Sequence, residues 1–188
     1  MPVLPLARRS ATVVVAATLM ALVPGAVRAD SPSPSPSSPA KHEAAPIKHE
    51  ESGAYLDGGT DTSSAKPPAH TTKPSGDPAS APGSQKWSYD PATKLIKNEA
   101  NGWYLGSGGD SSAAKAPAYT TKYTGEAAAA PPQLKWTYDA ATKLVKNEGN
   151  GWYLGAGGDD YSKGSAYTTK YTGSPASAPA PLKWSIPS

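Results

Sequence analysis

Carboxylates beside glycine pairs are the residues of this chain best suited to hold a ligand. Asp61, Asp110 and Asp159 each follow a Gly-Thr or Gly-Gly step, in Gly59-Thr60-Asp61, Gly108-Gly109-Asp110 and Gly157-Gly158-Asp159. Glycine lets a backbone approach a ligand closely, and a carboxylate accepts hydrogen bonds from hydroxyl groups such as those of a sugar. The same pattern also serves a turn in which the Asp bonds its own backbone. Catalytic arrangements are missing. There is no Gly-x-Ser-x-Gly elbow, no phosphate-binding glycine loop and no zinc-binding His pair. Lys-His-Glu occurs twice, at 41–43 and 48–50, but without metal-ligand spacing, and the chain has no cysteine. Asp159 and Asp160 are adjacent, so on a strand they point apart, whereas glycosidase chemistry needs two carboxylates facing one bond. The residues read as binding groups; no catalytic residue, metal or cofactor is expected.

The elements that must position these acids are repeated. Lys86–Asp110 reads KWSYDPATKLIKNEANGWYLGSGGD and Lys135–Asp159 reads KWTYDAATKLVKNEGNGWYLGAGGD, the same at all but five positions. AYTTKYTG occurs at 118–125 and again at 166–173. A weaker copy precedes both, with Ile47, Gly53-Ala54-Tyr55-Leu56-Asp57 and His70-Thr71-Thr72-Lys73. Such self-similarity fixes architecture before any local propensity does. Each unit contains alternating Trp-x-Tyr or Trp-x-Ile segments, a Lys-Leu-Ile/Val-Lys run, a Trp-Tyr-Leu run after Asn-Gly, and a Thr/Tyr-rich run. These are signatures of short strands. Twelve short strands in three units of about 49 residues predict an all-β fold, and closure into a barrel would remove exposed edges.

The pattern resembles the ricin-type β-trefoil lectin family. Ile96-Lys97-Asn98, Gly102-Trp103-Tyr104-Leu105 and the terminal tryptophans Trp87, Trp136 and Trp184 match that family's Ile-x-Asn, Gly-x-x-Leu-Asp and Gln-x-Trp elements. The resemblance covers about 46–188, in repeats 46–90, 91–139 and 140–188. It implies that the three tryptophans belong to the core, and Trp103 and Trp152 are read mostly as core as well.

The family's sugar pocket uses an Asp after the second-strand Leu, an aromatic residue from the next strand and polar partners near Gln-x-Trp. The Asp is matched by Asp57 alone, with Gly106 and Gly155 in the other copies. The Gln is matched by Gln85 alone, with Leu134 and Leu182 later. For the aromatic partner, one register brings Lys73, Lys122 and Lys170 to the pocket, and another brings Pro74, Tyr123 and Tyr171. The first is preferred, because it keeps Tyr119, Thr121 and Tyr123 inward and Thr120 and Lys122 outward. The candidate ligand-binding set is therefore Asp57, Asp61, Lys73, Gln85, Asp110, Thr120, Lys122, Asp159, Thr168 and Lys170. The resemblance implies an extracellular glycan or polysaccharide as partner. The alternative is a β-trefoil protease inhibitor or other protein-binding module, acting through the Ala/Pro/Ser-rich loops at 125–132 or 173–181. A wall-associated structural domain is a third reading.

The remaining segments set location and charge. Arg8 and Arg9 followed by an apolar run to Val23, with Val27 and Ala29 before Asp30, read as a secretion signal over 1–29. Residues 30–45, with SPSPSPSSP at 31–39, read as a disordered linker. All three arginines lie in the signal, which leaves 15 lysines against the 15 acids of the chain and a formal charge of zero. Such a domain lacks the basic footprint for nucleic acid or an acidic membrane. A secreted, extracellular monomer is expected.

Overall fold

The computed structural model describes residues 41–74, 76–109, 113–157 and 163–187. The domain is an all-β trefoil of three repeats. Among the described residues, twelve strands fall four to a repeat. Repeat one carries β2 (Lys48–His49), β3 (Tyr55–Asp57), β4 (His70–Thr72) and β5 (Lys86–Asp90). Repeat two carries β6 (Leu95–Asn98), β7 (Tyr104–Ser107), β8 (Lys115–Thr121) and β9 (Trp136–Asp139). Repeat three carries β10 (Leu144–Asn147), β11 (Tyr153–Ala156), β12 (Lys163–Thr169) and β13 (Trp184–Ser185). All pairings between strands are antiparallel.

A further strand, β1 (His42–Pro46), precedes the repeats and pairs with β5, placing His42 opposite Tyr89 and Ala45 opposite Trp87. The expected linker over 30–45 is thereby corrected at its end, because 42–45 belongs to the sheet. His42 anchors this strand: its Nδ1 lies 2.6 Å from the carbonyl oxygen of Pro187, and its ring meets Tyr89 edge-on at 5.4 Å. The alternation of His, Glu, Ala and Ala gave no apolar stripe to announce a strand.

The core follows the repeat. Ile47, Ile96 and Val145, then Leu56, Leu105 and Leu154, then Trp87, Trp136 and Trp184 are all fully buried in one cluster. Each tryptophan also satisfies its indole N–H. Trp87 Nε1 donates to the carbonyl of Leu56 at 2.9 Å, Trp136 Nε1 to Leu105 at 2.9 Å, and Trp184 Nε1 to Leu154 at 3.1 Å. The last strand of each repeat is thus tied to its second, and the expected core role of these rings holds. Trp103 and Trp152 are buried too.

Turns close the strands as their residues dictate. In the β5–β6 and β9–β10 hairpins, Asp90 Oδ1 accepts the amide of Ala92 and Asp139 Oδ1 that of Ala141, while Lys94 and Lys143 sit at φ 63°. The carbonyls of those two lysines accept the amides of Trp136 and Trp184, which ties the last strand of repeats two and three back to the start of its own repeat. Asn101-Gly102 does mark the β6–β7 hairpin. The connection is wider than a two-residue turn: Gly102, at φ 71°, donates to the carbonyl of Asn98, whose own Oδ1 accepts the amide of Ala100.

Before the last strand of each repeat, the Ala/Pro-rich loop folds into two short 3-10 turns, at Pro78–Ser80 and Gly83–Gln85, Ala127–Ala129 and Pro132–Leu134, and Pro175–Ser177 and Ala180–Leu182. The second and third pairs of turns begin in the loops at 125–132 and 173–181 that the protein-binding alternative would use. Ala129 N and Ala130 N donate back to Glu126 and Ala127, and Ala130 and Ala178 are buried.

Candidate functional site

The register of the second and third strands decides what each repeat offers to solvent. Tyr55, Leu56 and Asp57 stand opposite Thr72, Thr71 and His70. In repeat two, Tyr104, Leu105 and Gly106 stand opposite Thr121, Thr120 and Tyr119, and in repeat three Tyr153, Leu154 and Gly155 stand opposite Thr169, Thr168 and Tyr167. Side chains alternate across a strand. The middle pair of each set therefore faces the barrel, and the outer pairs face the rim.

Repeat one uses that rim for a polar pocket. Asp57 Oδ1 accepts the amide of Gly59 at 2.8 Å, with Gly59 at φ 64°. Its Oδ2 accepts the hydroxyl of Thr72 at 3.2 Å and the amide nitrogen of Gln85 at 3.4 Å. Asp57 and Gln85, 28 residues apart, are the two residues that only this copy carries, and the fold brings them into contact. Asp57, Gly59, His70 and Thr72 line an open cavity of about 290 Å³. Asp57 is half-buried, and its two oxygens retain acceptor capacity beyond these three donors. The carboxylate is held by its neighbours and remains open toward the cavity.

Repeats two and three fill the same place with hydrocarbon. A Cβ at Gly106 would lie 2.5 Å from the Tyr119 ring, and one at Gly155 would lie 2.6 Å from the Tyr167 ring. Tyr119 packs with Leu95, Ala130 and Leu134, and Tyr167 with Leu144, Ala178 and Leu182. Where repeat one has Asp, His and Gln, the other two have Gly, Tyr and Leu. These are concerted changes, since the tyrosine ring occupies the space of the missing carboxylate and the leucine replaces the missing amide against it.

Other candidate residues divide. Asp61 is exposed, and its Oδ1 accepts both the amide and the hydroxyl of Ser63 at 2.8 and 2.6 Å. Those bonds hold its carboxyl below the usual range. Both bonds lie within its own turn, the second use that this sequence pattern allows. Asp110 and Asp159 lie outside the described residues. Lys73, Lys122 and Lys170 are exposed just beyond their strands.

Thr120 and Thr168 are fully buried, against the expected outward orientation. Their hydroxyls bond between repeats: Thr120 Oγ1 donates to the carbonyl of Gly58, and Thr168 Oγ1 lies 3.0 Å from Ser107 Oγ. Tyr119 is buried on the outer side beneath Lys66 rather than in the barrel. The inversion arises because Thr120 pairs with Leu105, a core residue, and so shares its face. Sequence reasoning missed Thr72 and His70 at the pocket. Their signal is the register itself, since both point to the side of Asp57.

No family model and no curated protein matches the chain. The fold does have solved counterparts. The C-terminal half of an earthworm R-type lectin, solved with GalNAc, superposes with a TM-score of 0.53 at 18% identity, over 77% of this chain and 98% of that one. A ricin B-like lectin of Macrolepiota procera, solved with lactose, gives 0.54 at 14% identity, over 80% and 99%. A designed three-fold symmetric protein, ThreeFoil, gives 0.55 at 17% identity, over 77% and 98%. These likenesses establish the trefoil fold.

Proposed function

We propose that this chain is a secreted, non-catalytic carbohydrate-binding module whose principal site is the polar pocket of repeat one. The observation that carries the reading is the contact of Asp57 with Gln85 and Thr72 at the mouth of an open cavity. A fixed carboxylate with spare acceptor sites suits two neighbouring hydroxyls of a pyranose, and the His70 ring and Thr72 hydroxyl add adjacent polar groups, while Gln85 holds the carboxylate from behind. Two of the solved trefoils above were captured with GalNAc or lactose, and those sugars set the first ligands to try. Secretion rests on the basic and apolar segment at 8–23 and the small residues before Asp30.

Single shallow polar pockets bind weakly, because each hydrogen bond replaces one to water and nets only about 1 kcal/mol. The module would act on polymers or clustered glycans, where effective concentration compensates. The test is a glycan array read with wild type and Asp57→Ala. Binding to a neutral galactoside or related sugar that Asp57→Ala abolishes is the expected result. An array with no signal, or a signal that Asp57→Ala leaves intact, removes the reading.

A further inference from the structure

We propose that repeats two and three carry a pair of equivalent sites for acidic saccharides, distinct in chemistry from the pocket of repeat one. The inference rests on the reading of the domain as a saccharide-binding module. With Asp57 replaced by glycine, no described carboxylate lies at these positions, and lysines gather there instead. Lys66, from the loop of repeat one, places its ammonium 4.9 Å from the centre of the Tyr119 ring. Lys115, the corresponding residue one repeat later, sits 4.3 Å from the centre of the Tyr167 ring. Each tyrosine that fills the lost Asp57 position is therefore covered by a lysine from the preceding repeat.

A second lysine completes each site. Lys66, Tyr119, Lys122 and Tyr123 share one open cleft of about 430 Å³, with Gln133 and Pro131 on its far wall. Lys122 and Lys170 are both exposed, and neither is held by a carboxylate among the described residues. Tyr123 and Tyr171 stand beside them, half-buried, braced edge-on by Tyr104 at 6.2 Å and by Tyr153 at 6.1 Å. The hydroxyls of both rings are committed to the carbonyls of Glu126 and Ser174. Two ammonium groups beside a braced aromatic ring suit a sugar that bears a carboxylate or a sulfate, with the anion on the lysines and the ring face against the tyrosine. An ammonium held over a ring keeps N–H donors for such an anion. The lysine-over-tyrosine contact and the edge-on tyrosine pair recur in repeat three at corresponding positions.

The experiment is affinity electrophoresis and nuclear magnetic resonance shift mapping of the full domain. The probes are polygalacturonate, its methyl-esterified form, dextran sulfate and lactose. The variants are Lys66→Gln/Lys122→Gln, Lys115→Gln/Lys170→Gln and all four together. Exposed charge pairs are each worth up to about fivefold in affinity, so each double variant should bind polygalacturonate several-fold less well and the quadruple variant should lose it. Loss on methyl esterification, and weakening as salt rises, are also expected. Dextran sulfate binding alongside polygalacturonate identifies a general anion preference; polygalacturonate alone identifies a uronate site. Either result supports the assignment. Equal binding of the esterified polymer, or full binding by the quadruple variant, overturns it. The two readings fail separately, because lactose shifts at Asp57 report on repeat one while polygalacturonate shifts at Tyr123 and Tyr171 report on repeats two and three.

Discussion

Asp57 and Gly106 occupy the same place in two copies of one unit, and their surroundings changed together. At Gly106 the Tyr119 ring leaves no room for a side chain, so Gly106→Ala should cost about 1–3 kcal/mol, the usual penalty for overpacking a filled site. Tyr119→His, which copies repeat one, should recover much of that loss when combined with it. Chemical denaturation of the two single variants and the double variant measures this coupling; additive losses would show that the ring and the glycine are not matched.

His49 offers a second residue-scale test. It stands where Asn98 and Asn147 stand in the other repeats, is fully buried, and lies with Nε2 3.2 Å from the carbonyl of Ala180 and Nδ1 2.8 Å from Ser52 Oγ. The carbonyl can only accept, so the neutral ring carries its proton on Nε2. Burial lowers the pKa of His49 below its ordinary value of 6.5. The unfolded chain thus binds a proton more readily than the folded one. Stability from this group is complete above pH 6.5 and is lost as pH falls through the folded value. Melting temperature should decline from pH 7 to pH 5, and His49→Asn should flatten that decline. An unchanged slope in the variant would assign the effect elsewhere.

At the scale of elements, most strands were legible because their residues repeat. The Trp-x-Tyr and Trp-Tyr-Leu runs recur with the same neighbours, and the closed barrel is the economical way to pair them. Two features were not legible for physical reasons. β1 has no apolar alternation; it exists because β5 presents an open edge and the carbonyl of Pro187 receives His42. The orientation of β8 and β12 was inverted because the large tyrosines suggested the core, whereas the small Ala118 and the hydroxyl of Thr120 fit the crowded seam between repeats. In the candidate site, Asp57 and Gln85 were legible through the family resemblance, while Thr72 and His70 needed the register. Deleting 42–45 from the chain should lower stability by about 1–3 kcal/mol, the worth of a few backbone hydrogen bonds. An unaltered melting temperature would mean that β1 contributes nothing to the fold.

For the whole domain, three tryptophans bind the last strand of each repeat to its second strand through one buried hydrogen bond each. Trp136→Ala should cost about 3–5 kcal/mol, as deletion of a buried aromatic ring does, and should lower the single unfolding transition. A loss below about 1 kcal/mol would contradict the core described here. The shared core coexists with unlike rims, so one stable frame carries a carboxylate pocket in repeat one and tyrosine-filled positions in repeats two and three. Among the described residues, a ligand that needs a carboxylate at this position meets one only in repeat one.

That claim is open to a direct measurement: nuclear magnetic resonance titration of the isotopically labelled domain with lactose and GalNAc, on wild type and Asp57→Asn. The account predicts shifts for at least one of these sugars that cluster at Asp57, Gly59, His70, Thr72 and Gln85, one saccharide per chain, and their loss in Asp57→Asn, which keeps the shape and removes the charge. Shifts of equal size at the corresponding positions of all three repeats, or shifts that persist in Asp57→Asn, would contradict it.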